Sequence, residues 1–100
     1  MTSPNGSHQY RLILSNRQVQ RIYELHDQAL QRGLGDAFIA ALKRIDKHLR
    51  ANPVAFGDPR YRLPALKMTV YCRAIHPVIV DYGVNEEKRM VFMRSIRLFD

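Results

Sequence analysis

Apolar and polar positions change period along this chain. From Lys67 onward the apolar residues crowd into three short, β-rich runs, Lys67–Ile75, Val78–Val84 and Lys88–Leu98. His76-Pro77 punctuates the first pair and Asn85-Glu86-Glu87 separates the second, a pattern that predicts three consecutive strands with tight connections. Val78-Ile79-Val80 is apolar without alternation, which predicts a central strand covered on both faces. Ahead of these runs the period is helical. Val19, Ile22, Leu25 or His26, Ala29 and Leu30 recur at helical spacing, and Ser15-Asn16-Arg17-Gln18 reads as a capping box. Gly33-Leu34-Gly35 breaks this helix. Asp36 is placed to cap a second one, whose stripe is Phe38, Ala41, Leu42, Ile45 and Leu49. Lys43, Arg44, Lys47 and Arg50 cover its other face and suit the helix dipole late in the helix. Asn52-Pro53 ends it. Tyr10–Leu14 (YRLIL) reads as a first strand. Val54–Leu66, with two prolines, a glycine and two arginines, reads as an ordered connecting loop, long for a passive one at 13 residues.

These elements predict an α+β fold. A short link between the helices makes them an antiparallel hairpin, and one-sided stripes require a sheet to lie on. The expected architecture is a helical hairpin packed on a small, mostly antiparallel sheet, in the order β-α-α-β-β-β. A chain of 100 residues allows one domain, here residues 10–100, behind a flexible tail over residues 1–9. That tail (MTSPNGSHQ) lacks the apolar stretch of a secretory signal, and no run approaches the length of a membrane span. A cytoplasmic protein without a membrane partner is expected. The single cysteine, Cys72, leaves no intrachain disulfide and no zinc site built on paired cysteines. It alternates with Tyr71 and Arg73, which predicts an inert thiol facing the core with Val70. The histidines are widely separated and no Gly-rich phosphate loop is present, so neither metal nor cofactor is expected.

Charge adds a function class. Sixteen Lys and Arg stand against nine Asp and Glu, for a net charge of +7, and 12 of the cations are arginine. Such a surface favours RNA, DNA or an acidic protein segment, and arginine suits bidentate phosphate contacts. Tyr71 and Arg73, two apart, share a strand face. With Arg94 on the last strand they could form a phosphate-binding patch, or Arg73 or Arg94 could pair with Asp81 on the strand between. His76 is the best general acid–base candidate, since histidine titrates near neutrality; the alternative is a turn residue with no role. Arg60, Arg62 and Lys67 interleave with Tyr61, a mixture suited to phosphate contact with base stacking, although Tyr61 could equally pack on the sheet. Arg97 adds a cation beside the last strand, and Phe99 is expected to anchor in the core.

One stretch carries a resemblance. Tyr82-Gly83-Val84-Asn85-Glu86-Glu87-Lys88-Arg89-Met90-Val91-Phe92-Met93-Arg94-Ser95-Ile96 is similar to a stretch of tyrosine, apolar strand end, acidic hairpin turn, then Val-x-Phe/Val and a serine or glycine before basic residues, with Met93 at the Phe/Val position. With the Asn52-Pro53 helix end, Gly57 and the element order, it resembles the RelE/ParE superfamily of bacterial type II toxins over about Tyr10 to Leu98. The resemblance implies one of two activities. RelE-like members bind the ribosomal A site and cut mRNA with a basic cluster. ParE-like members block DNA gyrase without a nuclease site. Both are neutralised by an antitoxin whose C-terminal part wraps the toxin. For such an activity, Arg73, His76 and Arg94 are this chain's catalytic candidates, and Arg60, Tyr61, Arg62, Lys67, Tyr71 and Arg97 its nucleic-acid-binding ones. Cleavage through the 2′-hydroxyl requires the fold to orient that group and stabilise extra phosphate charge. The nuclease pattern carries an arginine at the start of the strand that ends here in Tyr82; His76–Tyr82 has none, and Arg73 is the nearest. With Asp100 last, neither a C-terminal helix nor a terminal tyrosine is expected. The expectation is therefore a toxin-like protein acting on translation by ribosome-dependent mRNA cleavage or RNA binding, partnered by an antitoxin. Gyrase inhibition and a non-catalytic interaction module are the alternatives.

Overall fold

The computed structural model describes residues 9–99. The tail expected over residues 1–9 falls, Gln9 apart, outside them. The described chain runs β1 (Arg11–Ile13), α1 (Asn16–Gln31), α2 (Gly35–Ala51), a short α3 (Pro53–Phe56), β2 (Asp58–Leu63), a 3-10 turn (Pro64–Leu66), β3 (Met68–Ile75), β4 (Val78–Asn85) and β5 (Met90–Leu98). The five strands form one sheet in the order β1-β5-β4-β3-β2, antiparallel except for the parallel β1–β5 pair. The fold is α+β with the helices on one face of the sheet, as the sequence predicts. No helix among the described residues is long and apolar enough to cross a membrane.

Local chemistry fixes the helix ends. Ser15 Oγ accepts from the Gln18 amide at 3.1 Å, which is the first half of the expected capping box. The second half is absent, because the Gln18 side chain donates instead to the Arg94 carbonyl at 2.9 Å. At the other end, the Leu34 amide reaches the Ala29 carbonyl and the Gly33 amide reaches Leu30, which makes a Schellman turn. Gly33 supplies the φ of 72° that this turn needs. Gly35 lets the Leu30 side chain lie close, since a Cβ there would meet Leu30 Cδ2 at 2.5 Å and turn that exposed side chain aside. Asp36 does not cap α2; it sits in the first turn without a cap hydrogen bond, where its charge still suits the dipole.

The core lies between the helices and one sheet face. Leu25 and Ala29 from α1 join Phe38, Ala41, Ile45 and Leu49 from α2, and all are buried. Val19 and Leu30, counted in the α1 stripe from spacing, are exposed, so the buried arc of that helix is narrower than its apolar one. From the sheet come Tyr71 and Ile75, then Val78, Val80, Tyr82 and Val84, then Val91 and Ile96. Residues in register across neighbouring strands share a face. Tyr71 stands opposite Tyr82 and Arg73 opposite Val80, so these point at the helices. Val70 stands opposite Gly83 and Cys72 opposite Asp81, so these point away. The β4 strand is central, as expected, but helices cover only one of its faces, and Ile79 is half-buried on the other.

The segment Val54–Leu66, expected to be a loop, is a helical turn, an edge strand and a 3-10 turn. Its DPRYRL core has no apolar alternation because β2 is almost wholly exposed and pairs along one side only. Pro59 and the two arginines are tolerated there, where no further strand needs its amides. Tyr82 secures this crossover. Its hydroxyl donates to the Pro53 carbonyl at 2.7 Å, and its ring stacks on Tyr71 at 5.5 Å and Phe56 at 6.3 Å. A Cβ at residue 57 would fall 2.5 Å from that hydroxyl, so only glycine fits there. Burial drives the phenol pKa far above the ordinary tyrosine range, and that of Tyr71 is raised mainly by burial too.

Tyr82→Phe should lose about 1–3 kcal/mol, because it leaves the Pro53 carbonyl unpaired in a buried place. Both tyrosine pKa values are raised in the fold, so their stabilisation is complete below about pH 10 and falls as pH rises above it. Urea denaturation at neutral and alkaline pH checks both points: the variant should start less stable and show the shallower alkaline decline.

Candidate nucleic-acid interface

The sheet face without helices carries part of the predicted set. Tyr61 stands opposite Val70, hence on this face, and is 53% exposed. Arg60 is the extra residue at the β2 irregularity between Pro59 and Tyr61. Arg97 stands opposite Ile79 in β4, on the same side as Ser95 and Asp81. Asp81 accepts from the Ser95 hydroxyl at 2.9 Å. The Cys72 thiol pKa is raised, first by burial and then by its hydrogen bond to Asp81 and the charge of that carboxylate. The charges of Arg60 and Arg97 act in the opposite sense on the same thiol. Arg60 and Tyr61 on β2 and Arg97 on β5 thus border this face from its two sides, with β3 and β4 between them. Cys72 does share a face with Val70, but that face is the helix-free one, and the thiol is half-buried rather than in the core. The helix-facing set of β3 is Tyr71, Arg73 and Ile75.

Arg62 and Lys67 are drawn elsewhere. Arg62 donates to the Thr69 hydroxyl at 3.1 Å. Lys67, with φ 51°, lies 3.8 Å from Glu87, both side chains well exposed, so that pair is loosely held. With Glu86 they line a small cleft of about 280 Å³ whose acidic members offset its cations.

Arg73, His76 and Arg94 are not brought together. Arg73 donates to the Phe56 carbonyl at 3.0 Å and lies 5.0 Å over the Phe56 ring, bracing α3 against the sheet. His76 is in the β3–β4 turn, edge-on to Phe99 at 5.2 Å. Phe99 is half-buried there rather than anchored in the core, and its carbonyl accepts from Arg32 at 2.8 Å. Arg94 is the extra residue of a β5 bulge, opposite the Asp81–Tyr82 step. Neither Arg73 nor Arg94 pairs with Asp81; the first faces the helices and the second leaves the register. Tyr71 does share the Arg73 face, but there it is buried against Tyr82 and offers no ring to a base.

Arg94 joins a group that sequence spacing left among the polar residues of a helix. Arg17, Gln18, Gln20, Arg21 and Glu24 of α1 face Arg94, Ser95 and Ile96 across an open cleft of about 620 Å³. The signal was present in the helical spacing of residues 17, 20, 21 and 24, but what they face depends on a contact with a strand more than 70 positions away. Arg21 reaches Glu24 at 3.5 Å on the surface; Arg17 and Arg94 have no acidic partner among the described residues. No group of three or more His, Cys, Asp and Glu side chains among them could hold a metal ion. The arrangement presents cations on two surfaces, with the Asp81 carboxylate on one and Glu24 on the other.

No protein-family model, curated protein or solved structure matches the chain.

Arg73→Ala should cost about 1–2 kcal/mol through the lost carbonyl bond and ring contact. Its affinity for RNA should not change. Paired urea denaturation and RNA titration of the same variant test this, and a large loss of affinity at unchanged stability would return Arg73 to the binding surface.

Proposed function

We propose that the chain is a RelE/ParE-like, toxin-type protein that acts on translation by gripping single-stranded RNA rather than by cutting it, under the control of an antitoxin. The observation that carries this reading is the exposed Tyr61 ring beside Arg60 on a sheet face that no helix covers, with Arg97 on β5 across the same face. An exposed aromatic ring accepts any base by stacking, and flanking guanidinium groups accept the phosphates on either side. The net charge of +7 adds a sequence-independent attraction. Binding is favoured over cleavage because two of the three catalytic candidates are engaged elsewhere, Arg73 with Phe56 and His76 with Phe99 at the sheet end. Cytoplasmic action follows from such a target.

Titration of labelled single-stranded RNA checks the reading. Tyr61→Ala should weaken binding by about 1–3 kcal/mol, and Arg60→Ala with Arg97→Ala should reduce the salt slope by roughly 1.4, about 0.7 per lost phosphate contact. Induced expression in a bacterial host should then arrest growth with transcripts intact. Cut transcripts would replace the binding reading with a nuclease, and altered plasmid supercoiling would replace it with gyrase inhibition.

A further inference from the structure

We infer that the outer face of the α1–α2 hairpin docks a second copy of the same chain across a two-fold axis. The inference goes beyond the RNA reading and uses the other side of the molecule, since the RNA surface lies on the sheet face that the helices leave bare. It begins with a second apolar stripe on α1. Val19, Tyr23 and Leu30 lie within about 40° of one another around a helix of 3.6 residues per turn, apart from Leu25 and Ala29, which enter the core. All three are exposed, Tyr23 at 65% and Leu30 at 55%. The stripe continues onto α2. Leu30 lies against Gly35, and Ile39, also exposed, is one turn further along that helix. Exposed apolar residues scattered singly are ordinary, but four on one face of two adjoining helices form a patch of the kind that marks an interface.

The charges at the border of the patch identify the occupant. Asp27 follows Tyr23 by one turn of α1, and Lys43 follows Ile39 by one turn of α2. Both are exposed, and neither has a salt-bridge partner among the described residues. One helix of the hairpin thus offers an unpaired acid and the other an unpaired cation. A two-fold interface sets the same patch against itself. Laying α1 of each copy over α2 of the other brings Asp27 to Lys43 twice, around a centre made of Tyr23, Leu30 and Ile39. A ligand of one charge sign would satisfy half of this border, whereas a second copy satisfies both halves. The size agrees. Helices of 16 and 17 residues are roughly 25 Å long, and two of them about 9 Å apart present a face of about 500 Å². Counted on both copies, such a face belongs with small, reversible interfaces, as suits chains whose net charge of +7 makes them repel at a distance. The dimer carries its two RNA surfaces back to back, facing outward.

The test is sedimentation equilibrium of the full chain from about 1 μM to about 0.5 mM, which should show a reversible monomer–dimer equilibrium. Tyr23→Ala with Leu30→Ala should raise the dissociation constant by about tenfold or more. Asp27→Lys should raise it by about tenfold, and Asp27→Lys with Lys43→Asp should return it toward that of the unaltered chain. The two residues do not pair within one chain, so this rescue reports a contact between copies, and it keeps the proposal falsifiable should the apolar double variant fail to fold. Tyr61→Ala should leave dimerisation unchanged, so a failure of the RNA reading would not register here. A chain that stays monomeric at the highest concentration overturns the proposal. So does a dimer that a folded Tyr23→Ala, Leu30→Ala variant forms equally well, or one in which the charge-swapped pair is no tighter than Asp27→Lys alone.

Discussion

The hydrogen bond from the Tyr82 hydroxyl to the Pro53 carbonyl is the constraint on which the rest of the arrangement depends. Tyr82 belongs to the central strand and Pro53 begins the turn that follows α2, so one bond ties the middle of the sheet to the end of the helical layer. A buried carbonyl at a helix boundary has lost its water, and leaving it unpaired costs more than an average hydrogen bond returns. The phenol meets that need only because residue 57 is glycine. Phe56 is held between Tyr82, the stacked His48 ring at 4.6 Å and the Arg73 guanidinium. Once this joint is set, the chain emerges beside β3 and pairs as β2. The surface built on Arg60 and Tyr61 is therefore placed by a bond between residues that are both buried beneath it.

The same joint explains why Arg73 could be misread. In a linear pattern, an arginine two positions from a tyrosine on a basic chain looks like half of a phosphate site. In the fold, both side chains point at the helices. Tyr71 is swallowed by the aromatic stack, and Arg73 reaches the layer margin, where its long stem lies over Phe56 and its head finds a carbonyl. The choice of face follows from the β4 register: once Val78, Val80 and Tyr82 define the core side, Tyr71 and Arg73 must follow and Cys72 must face away. A shift of one residue would reverse every assignment.

The elements legible in the sequence were those whose own residues carry a period. The α2 stripe and the three final strands needed no knowledge of their neighbours, because burial on one side leaves a period of 3.6 or 2 in the residues themselves. β2 carries no period, since an exposed edge strand buries neither face, and its existence depends on the β3 amides that pair with it. The candidate surface divides the same way. Arg60 and Tyr61 were visible as a basic–aromatic run, whereas Arg17 and Arg21 acquire meaning only beside Arg94, through a bulge and a glutamine contact that no local pattern announces. The capping box illustrates the limit: the Ser15 half is local and forms, while the Gln18 half is lost to a partner 76 positions away.

The two edges of the sheet are protected by different means, and the difference bears on function. At β2, protection is built into the strand itself: Pro59 lacks an amide proton, Arg60 distorts the register, and Arg62 brings charge, so a further strand is discouraged along much of its length. At β5, protection comes from outside the strand. β1 covers its first third, and Gln18 satisfies the Arg94 carbonyl where the bulge turns the edge. A side chain can be displaced by a strand that offers more hydrogen bonds, whereas a proline cannot be displaced at all. The cations on the first edge therefore border a strand that resists extension, and those on the second border an edge that can still be paired. One basic surface excess is thus divided by sheet geometry between two edges of different backbone chemistry, a division that net charge alone does not carry.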